Sequence, residues 1–242
     1  MSKVSSRWYS ERVEREVNLV RWGTVGTPVL TFPTAGGDAE EIERFHLVGA
    51  CDELLEHGRI KLYSVDSVNG RALLSGEGDS GRQAWIQCRF FDFLRHEVVP
   101  AIRIDCASED IEIVAAGCSI GAFNALASIC WFPDVFRAAV CMSGTYDLGR
   151  FFNGPISDDF TLSSALRFVP ALDGAGLDHL RQRFVVLASG EGANENIGES
   201  WAVAHALGSK GVPNRVDPWG QQWEHDWPLW RAMLPQYLDE MA

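Results

Sequence analysis

Short apolar runs alternate with longer amphipathic stretches along almost the whole chain, and this alternation is what most constrains the fold. The clearest runs are EVNLVRW, PVLTF, IKLYSV, IEIVAAG, RAAVCMSG, FVVLAS and RVDPW. Such runs, separated by helical patterns, predict an α/β fold with a mainly parallel sheet and helices on both faces. No repeat, heptad or linker-like tract interrupts the pattern, so we expect residues 1–242 to form a single domain.

The stretches between the runs predict the helices and loops. Helices are predicted over 39–56, 83–104 (bent near Pro100), 119–131, around 200–207 and near 227–238. Residues 70–82, GRALLSGEGDSGR, are rich in Gly and Ser and predict a loop. Residues 146–183 contain no long periodic segment, and we interpret them as an excursion over the rim of the sheet.

Composition excludes several classes of partner. The formal net charge is −12 and no Lys/Arg-rich run is present. Nucleic acids and anionic membranes bind basic patches, so neither is an expected partner, whereas a small-molecule substrate is compatible. The composition does not decide between a monomer and a homo-oligomer.

The N-terminal sequence and the cysteines point to the cytoplasm. MSKVSSRWYSERVEREV has no apolar core of a signal peptide, and no run approaches the roughly 18–20 apolar residues of a membrane span. None of the six cysteines forms a C-x-x-C pair, so we expect small buried thiols and no zinc site.

The stretch AAGCSIGAF places Ser119 between two glycines, after an apolar run and before a helix of small residues. A nucleophilic serine is held on a sharp turn, where Gly117 and Gly121 leave the room that a Cβ would fill. The free N–H of Ile120, at the start of the next helix, can stabilise an oxyanion. The pattern predicts a nucleophile elbow; a strand-to-helix turn that merely contains a serine is the alternative.

Such a serine needs an acid and then a histidine later in the chain. Four of the six histidines, His46, His57, His96 and His205, lie in or at the end of predicted helices, and His179 lies in the excursion upstream of the last two strands. His225 lies in WGQQWEHDWPLW, between the strand RVDPW and the last helix, where ligands bind in open sheets. We therefore predict His225 as the catalytic base, with a loop histidine stacked among tryptophans as the alternative.

Several stretches together resemble the α/β-hydrolases of the "putative esterase" family, which includes S-formylglutathione hydrolases and mycolyltransferases. They are VLTFPTAGG, AAGCSIGAFNALA, FPDVFRAAVCMSGTYD, VVLASGEGANEN and EHDW, in the family's order from about Pro28 to the end. The resemblance implies a second oxyanion donor in the loop after an early strand, where relatives carry H-G-x-x-G. The matching residues are PTAGG at 33–37, so Ala35 is the implied donor, although Pro-Thr replaces His-Gly.

The resemblance also bears on the acid. Relatives commonly carry an Asp three residues beyond a glycine after the strand that here reads FVVLAS, but that position is Ala193. Mycolyltransferase-like relatives carry a Gly-rich turn ending in Asn-Glu, which GEGANE resembles, so Glu195 is the implied acid. Glu191 is the second choice. The other acids considered were Glu199, Asp217 and Asp226.

These residues predict a serine carboxylesterase that forms an acyl-enzyme and needs no metal or organic cofactor. The short chain leaves no room for a large lid, which favours short or medium acyl chains. Five aromatic residues are possible lining for an acyl pocket: Trp85, Tyr146, Phe151, Phe152 and Trp223. The alternatives are an acyltransferase or thioesterase on the same triad and, from another class, a catalytically silent binding module.

Overall fold

The computed structural model describes residues 2–151 and 157–241, and one eight-stranded sheet runs through these parts of the chain. The strands β1 to β8 are Lys3–Ser10, Arg15–Trp22, Thr27–Phe32, Ile60–Val65, Ile113–Cys118, Phe136–Met142, Phe184–Ser189 and Asn214–Pro218. Their order across the sheet is β1-β2-β4-β3-β5-β6-β7-β8. Strands from β4 to β8 pair in parallel, whereas β1 and β2 pair antiparallel at one edge. The predicted mainly parallel sheet is confirmed.

Helices cover both faces of this sheet. The helices α1 to α12 within the described ranges are Glu41–Arg44, Leu47–Ala50, Asp52–Glu56, Val68–Ser75, Ser80–Phe93, Val99–Asp105, Ile120–Trp131, Asp158–Ser163, Ala165–Phe168, Gly174–Leu180, Ile197–Ser209 and Trp227–Met241. Successive strand residues point to opposite faces. Along β5, Val114 and Ala116 pack on the side of α1–α3 and α12, while Ile113 and Ala115 pack on the side of α5 and α7.

Strand β1 was not predicted. Its residues, KVSSRWYS, are mostly exposed and lack a continuous apolar run. They pair with β2 from Lys3↔Trp22 to Ser10↔Arg15, so the pairing depends on a partner strand and not on a local pattern.

The single helix predicted over 39–56 is wrong in its continuity. The chain forms three short helices, α1, α2 and α3, and His46 between the first two has a φ of 62°. A residue in the left-handed region cannot continue a right-handed helix, so the direction changes there. The apolar residues nevertheless keep a helical spacing, because all three short helices bury the same side against the sheet.

The loop predicted over 70–82 is also wrong. Residues from Val68 form helix α4, which ends at Gly76 with a φ of 64°. Gly70 inside α4 is a packing residue: a Cβ there would lie 2.6 Å from the Ala35 carbonyl oxygen. The glycine content predicted a turn, but glycine is present at position 70 because the backbones of α4 and of Ala35 approach each other closely there.

The long helix predicted over 83–104 begins three residues earlier, where Asp79 accepts a hydrogen bond from the Arg82 N–H at 2.8 Å. It is interrupted by one turn of π-helix, Leu94–Val98, before α6. The expected irregularity near Pro100 thus takes the form of a widened turn just before the proline.

The predicted excursion after β6 contains only short helices in its described part, and α8 packs against α5. Tyr146 at its start is buried in the core, so it does not line an open pocket. Trp85 packs against the guanidinium of Arg82, and Phe151 is largely exposed. Phe152 lies outside the described residues.

The described part of the chain has no helix whose length and apolarity would let it cross a membrane. All six cysteines are free thiols, and four of them are buried.

Candidate active site

Ser119 occupies a strained turn between β5 and α7. Its φ of 57° and ψ of −122° lie in a region that side chains rarely adopt. A Cβ at Gly117 would overlap the backbone of Gly121, and a Cβ at Gly121 would overlap the Phe32 carbonyl oxygen at the end of β3. The two glycines therefore permit the tight strand-to-helix turn that the elbow prediction requires.

Hydrogen bonds to the end of β6 hold this turn in place. The Ser119 N–H donates to the Met142 carbonyl at 3.0 Å, and the Ser119 carbonyl accepts from Thr145 N–H at 3.2 Å. Ser119 is half-buried, at the carboxyl edge of the parallel strands. Ligands bind at this edge in open α/β sheets.

The loops that carry Glu195 and His225 are joined backbone to backbone. The N–H of Gly192 donates to the Trp223 carbonyl at 2.9 Å, and the N–H of His225 donates to the Ala193 carbonyl at 3.1 Å. A Cβ at Gly192 would lie 2.5 Å from the Trp223 oxygen, so only glycine permits this approach. The loops after β7 and β8 thus form one unit that sets Glu195 against His225.

Glu195 is a buried carboxylate next to the imidazole. Its side chain is 1% exposed, and its Oε2 lies 3.4 Å from Nδ1 of His225, whose side chain is 22% exposed. The distance is long for a hydrogen bond, which is common in free enzymes. In the described part of the structure, no hydrogen bond joins Ser119 to His225.

A serine and a tryptophan that the sequence analysis missed complete the surroundings of this carboxylate. The Ser143 hydroxyl donates to Glu195 Oε1 at 2.5 Å and accepts from Trp230 Nε1 at 3.0 Å. The ring of Trp230 packs edge-on against His225, with centroids 5.2 Å apart. Ser143 has a φ of 47°, but nothing in the sequence CMSGTYD distinguishes it from an ordinary turn serine.

The other acids considered in the sequence lie elsewhere. Glu191 is exposed. Asp217 pairs with Arg215 at 2.8 Å, and Asp226 accepts from the Trp227 N–H at 2.7 Å. Glu199, in the first turn of α11, accepts hydrogen bonds from the backbone N–H groups of residues 146 and 147. Of these acids, Glu195 is the one whose carboxylate lies against His225 in the described residues.

The loop after β3 contains Ala35, next to the start of α7. A turn closes from the Gly37 N–H to the Thr34 carbonyl at 3.1 Å. Gly121 of α7 packs on the backbone of Phe32 and Pro33, and Gly70 of α4 packs on Ala35 from another side. Within the described residues, the N–H groups of Ala35 and Ile120 donate no hydrogen bond.

Cys118, the residue before Ser119, is fully buried. Burial raises the pKa of its thiol well above the ordinary value, which disfavours the thiolate. This environment gives Cys118 no feature of a nucleophile.

Comparison with known proteins identifies the family of the chain. The profile of the family described as "Putative esterase" matches residues 56–241, which is more than half of the chain. The chain belongs to this family and is an ester-hydrolysing enzyme. The loop with Ala35 lies before the matched region. A search of curated protein sequences gives no significant match.

Solved structures confirm the α/β-hydrolase fold. An S-formylglutathione hydrolase from Agrobacterium tumefaciens is 12% identical with a TM-score of 0.72, covering 98% of this chain and 93% of that one. Mycobacterium tuberculosis MPT51 (FbpC1) is 15% identical with a TM-score of 0.72, covering 100% and 98%. A ferulic acid esterase is 15% identical with a TM-score of 0.70, covering 98% and 96%. At these identities the likeness is one of fold.

Proposed function

We propose that the protein is a serine carboxylesterase whose triad is Ser119, His225 and Glu195. Two observations carry the proposal: a strained serine after β5, and, after β8, a histidine whose Nδ1 faces a buried carboxylate. Both residues follow the carboxyl ends of parallel strands of one sheet. Family membership supports ester hydrolysis, and the elbow geometry supports serine as the nucleophile.

The proposed reaction proceeds in two steps. The Ser119 Oγ attacks the ester carbonyl carbon while Nε2 of His225 takes its proton, and Glu195 stabilises the resulting imidazolium through Nδ1. The oxyanion accepts from the N–H groups of Ala35 and Ile120, each worth about 3–4 kcal/mol in comparable enzymes. The alkoxide leaves with the proton from His225, and water then attacks the acyl-enzyme, releasing the acid and restoring the Ser119 hydroxyl.

We further propose a small-molecule ester of short or medium acyl chain as the substrate, hydrolysed by a single-domain cytoplasmic enzyme. Leu74 of α4 is an apolar side chain, 64% exposed, beside the Ala35 loop: a Cβ at Gly36 would lie 3.5 Å from its Cδ1. An exposed apolar side chain beside the Ala35 loop offers a small contact surface, which suits a short acyl chain. Across p-nitrophenyl esters from acetate to palmitate, kcat/KM should peak at short or medium chains. A steady rise towards palmitate would contradict this substrate class.

A fluorophosphonate probe tests the nucleophile directly. It should label the wild-type protein at Ser119 and leave Ser119→Ala unlabelled. Labelling at another residue, or none at all, would overturn the assignment, and no labelling would instead favour a silent binding module.

An acyltransferase or thioesterase would use the same triad. One fold neighbour is named an S-formylglutathione hydrolase, and S-formylglutathione is a thioester. Burst kinetics with paired alcohol acceptors separate the activities, because a transferase partitions the acyl-enzyme towards the alcohol while an esterase passes it to water.

A further inference from the structure

Glu41 brings a buried carboxylate against the loop that carries Ala35. It is the first residue of α1 and only 7% exposed. Its Oε2 accepts from the Thr34 N–H at 2.7 Å, and its Oε1 accepts from the Thr34 hydroxyl at 2.8 Å. A Cβ at Gly37 would overlap the same carboxylate. Glu41 therefore contacts both ends of the turn 34–37.

The pKa of this carboxylate is raised by its surroundings. Burial raises the pKa of Glu41, with a smaller contribution from Asp38 in the same direction, while the hydrogen bonds from Thr34 and the charge of Arg44 lower it. The net direction is upward, so the ionised group is less favourable here than in water. Perturbed carboxyl groups of this kind cluster at functional sites.

The two contacts with Glu41 anchor Thr34 on the N-terminal side of the peptide unit that contains the proposed oxyanion donor. The Thr34 carbonyl and the Ala35 N–H belong to one planar unit and point in opposite directions. The carbonyl is held by the Gly37 N–H at 3.1 Å, and the preceding N–H and the side chain are held by Glu41. Rotation of this unit, which would turn the Ala35 N–H away, breaks the bond from the Gly37 N–H, while the two Glu41 contacts keep Thr34 itself from moving with it.

We propose that Glu41 is a positioning residue that holds Thr34 so that the Ala35 N–H points into the oxyanion hole. This inference rests on the proposed function above. Thr34 replaces the first glycine of the H-G-x-x-G pattern, and its hydroxyl gives Glu41 a contact that a glycine does not provide. The proposed positioning of the Ala35 N–H thus depends on the pair Glu41 and Thr34 in this chain.

The test compares three substitutions by kcat, KM and affinity for a trifluoromethyl ketone, which forms a tetrahedral adduct with the active serine. Glu41→Ala should lower kcat about tenfold to a hundredfold and weaken the ketone in parallel, with KM nearly unchanged. Glu41→Gln should stay within about fivefold of wild type, because its amide oxygen still accepts from the Thr34 N–H and its amide N–H₂ faces the hydroxyl. Glu43→Ala, which removes a charge from the same short helix, is the matched control and should leave kcat unchanged.

Thr34→Val removes the hydroxyl that donates to Glu41 and serves as the test if Glu41→Ala does not fold. It should lower kcat several-fold, and its effect should not add to that of Glu41→Ala. Additive effects, an unchanged kcat in Glu41→Ala, or an equal fall in Glu43→Ala would overturn the inference. These outcomes leave the proposed esterase intact, because that proposal is tested separately by probe labelling and by the activity of Ser119→Ala.

Discussion

The candidate site has two halves that are held in place by different contacts: the acid–base half, with Glu195 and His225, and the oxyanion half, the loop with Ala35. Glu195 and His225 lie on loops joined by backbone hydrogen bonds, and the neutral hydroxyl of Ser143 completes the contact. The loop with Ala35 is held by charged side chains in addition to backbone hydrogen bonds. Besides Glu41, the guanidinium of Arg71 donates to the Gly37 carbonyl at 3.1 Å and pairs with Asp66 at 2.9 Å.

The two halves also differ in the elements that supply their supporting residues. The acid–base half is shaped by glycines within the same loops, at positions 190 and 192. The oxyanion half depends on charged side chains from α1 and α4, whereas Ser143 after β6 and Trp230 of α12 support the acid–base half. Substitutions in the two halves should therefore fail in different ways, and the following experiments separate them.

The largest effect should come from Ser119→Ala, which removes the group common to both halves. We expect kcat to fall by about 10⁴-fold or more, because no other group takes over covalent catalysis. Activity against p-nitrophenyl acetate measures the loss, and circular dichroism and thermal unfolding should match wild type. A variant that keeps a tenth of the activity would show that the site lies elsewhere.

The second-largest fall in activity should come from Glu195→Gln, which changes the acid–base half alone. The amide cannot stabilise the imidazolium as a carboxylate does, so we expect kcat to fall by about 10³- to 10⁴-fold. Glu191→Gln, in the same turn but exposed, is the matched control and should be nearly wild type. The reverse result would move the acid to Glu191 and leave Ser119 and His225 in place.

The sequence was most informative where the determinants are local. Seven of the eight strands in the described residues coincide closely with apolar runs, and Ser119 was found because its turn needs glycines on both sides. The acid Glu195 came from resemblance to a Gly-rich turn and not from the residues alone. The structure places it against His225, while its catalytic role stays a prediction.

The supporting residues escaped the sequence analysis for a physical reason. Glu41 has the pattern of an ordinary first-turn acid, and Arg71 lies in a stretch that glycine content marked as a loop. Their importance depends on contacts across 7 and 34 residues of chain, which no local spacing reveals. Strand β1 was missed for the same reason.

A smaller effect is expected from Ser143→Ala, which loosens Glu195 without removing it. The change leaves the Trp230 indole N–H without its acceptor and frees one carboxylate oxygen, so we expect kcat to fall about tenfold to a hundredfold with KM nearly unchanged. Ser189→Ala, whose hydroxyl lies 3.3 Å from the other oxygen, should have a weaker effect. Equal effects of the two would mean that the Ser143 contact has no special role in positioning the acid.

The smallest effect should come from Leu74→Ala, which alters the rim of the oxyanion half and none of the reacting groups. Leu74 is exposed and lies beside Gly36, so its removal should cost little stability but open the space next to the bound acyl chain. We expect the optimum of the p-nitrophenyl ester series to move towards longer chains, with kcat/KM for each ester changing by about threefold to tenfold. Leu162→Ala, an equally simple loss of an exposed leucine on α8, is the control and should leave the series unchanged. If both variants keep the wild-type profile, the acyl chain does not pass over α4, and the specificity of the enzyme has to be sought on the acid–base side of Ser119.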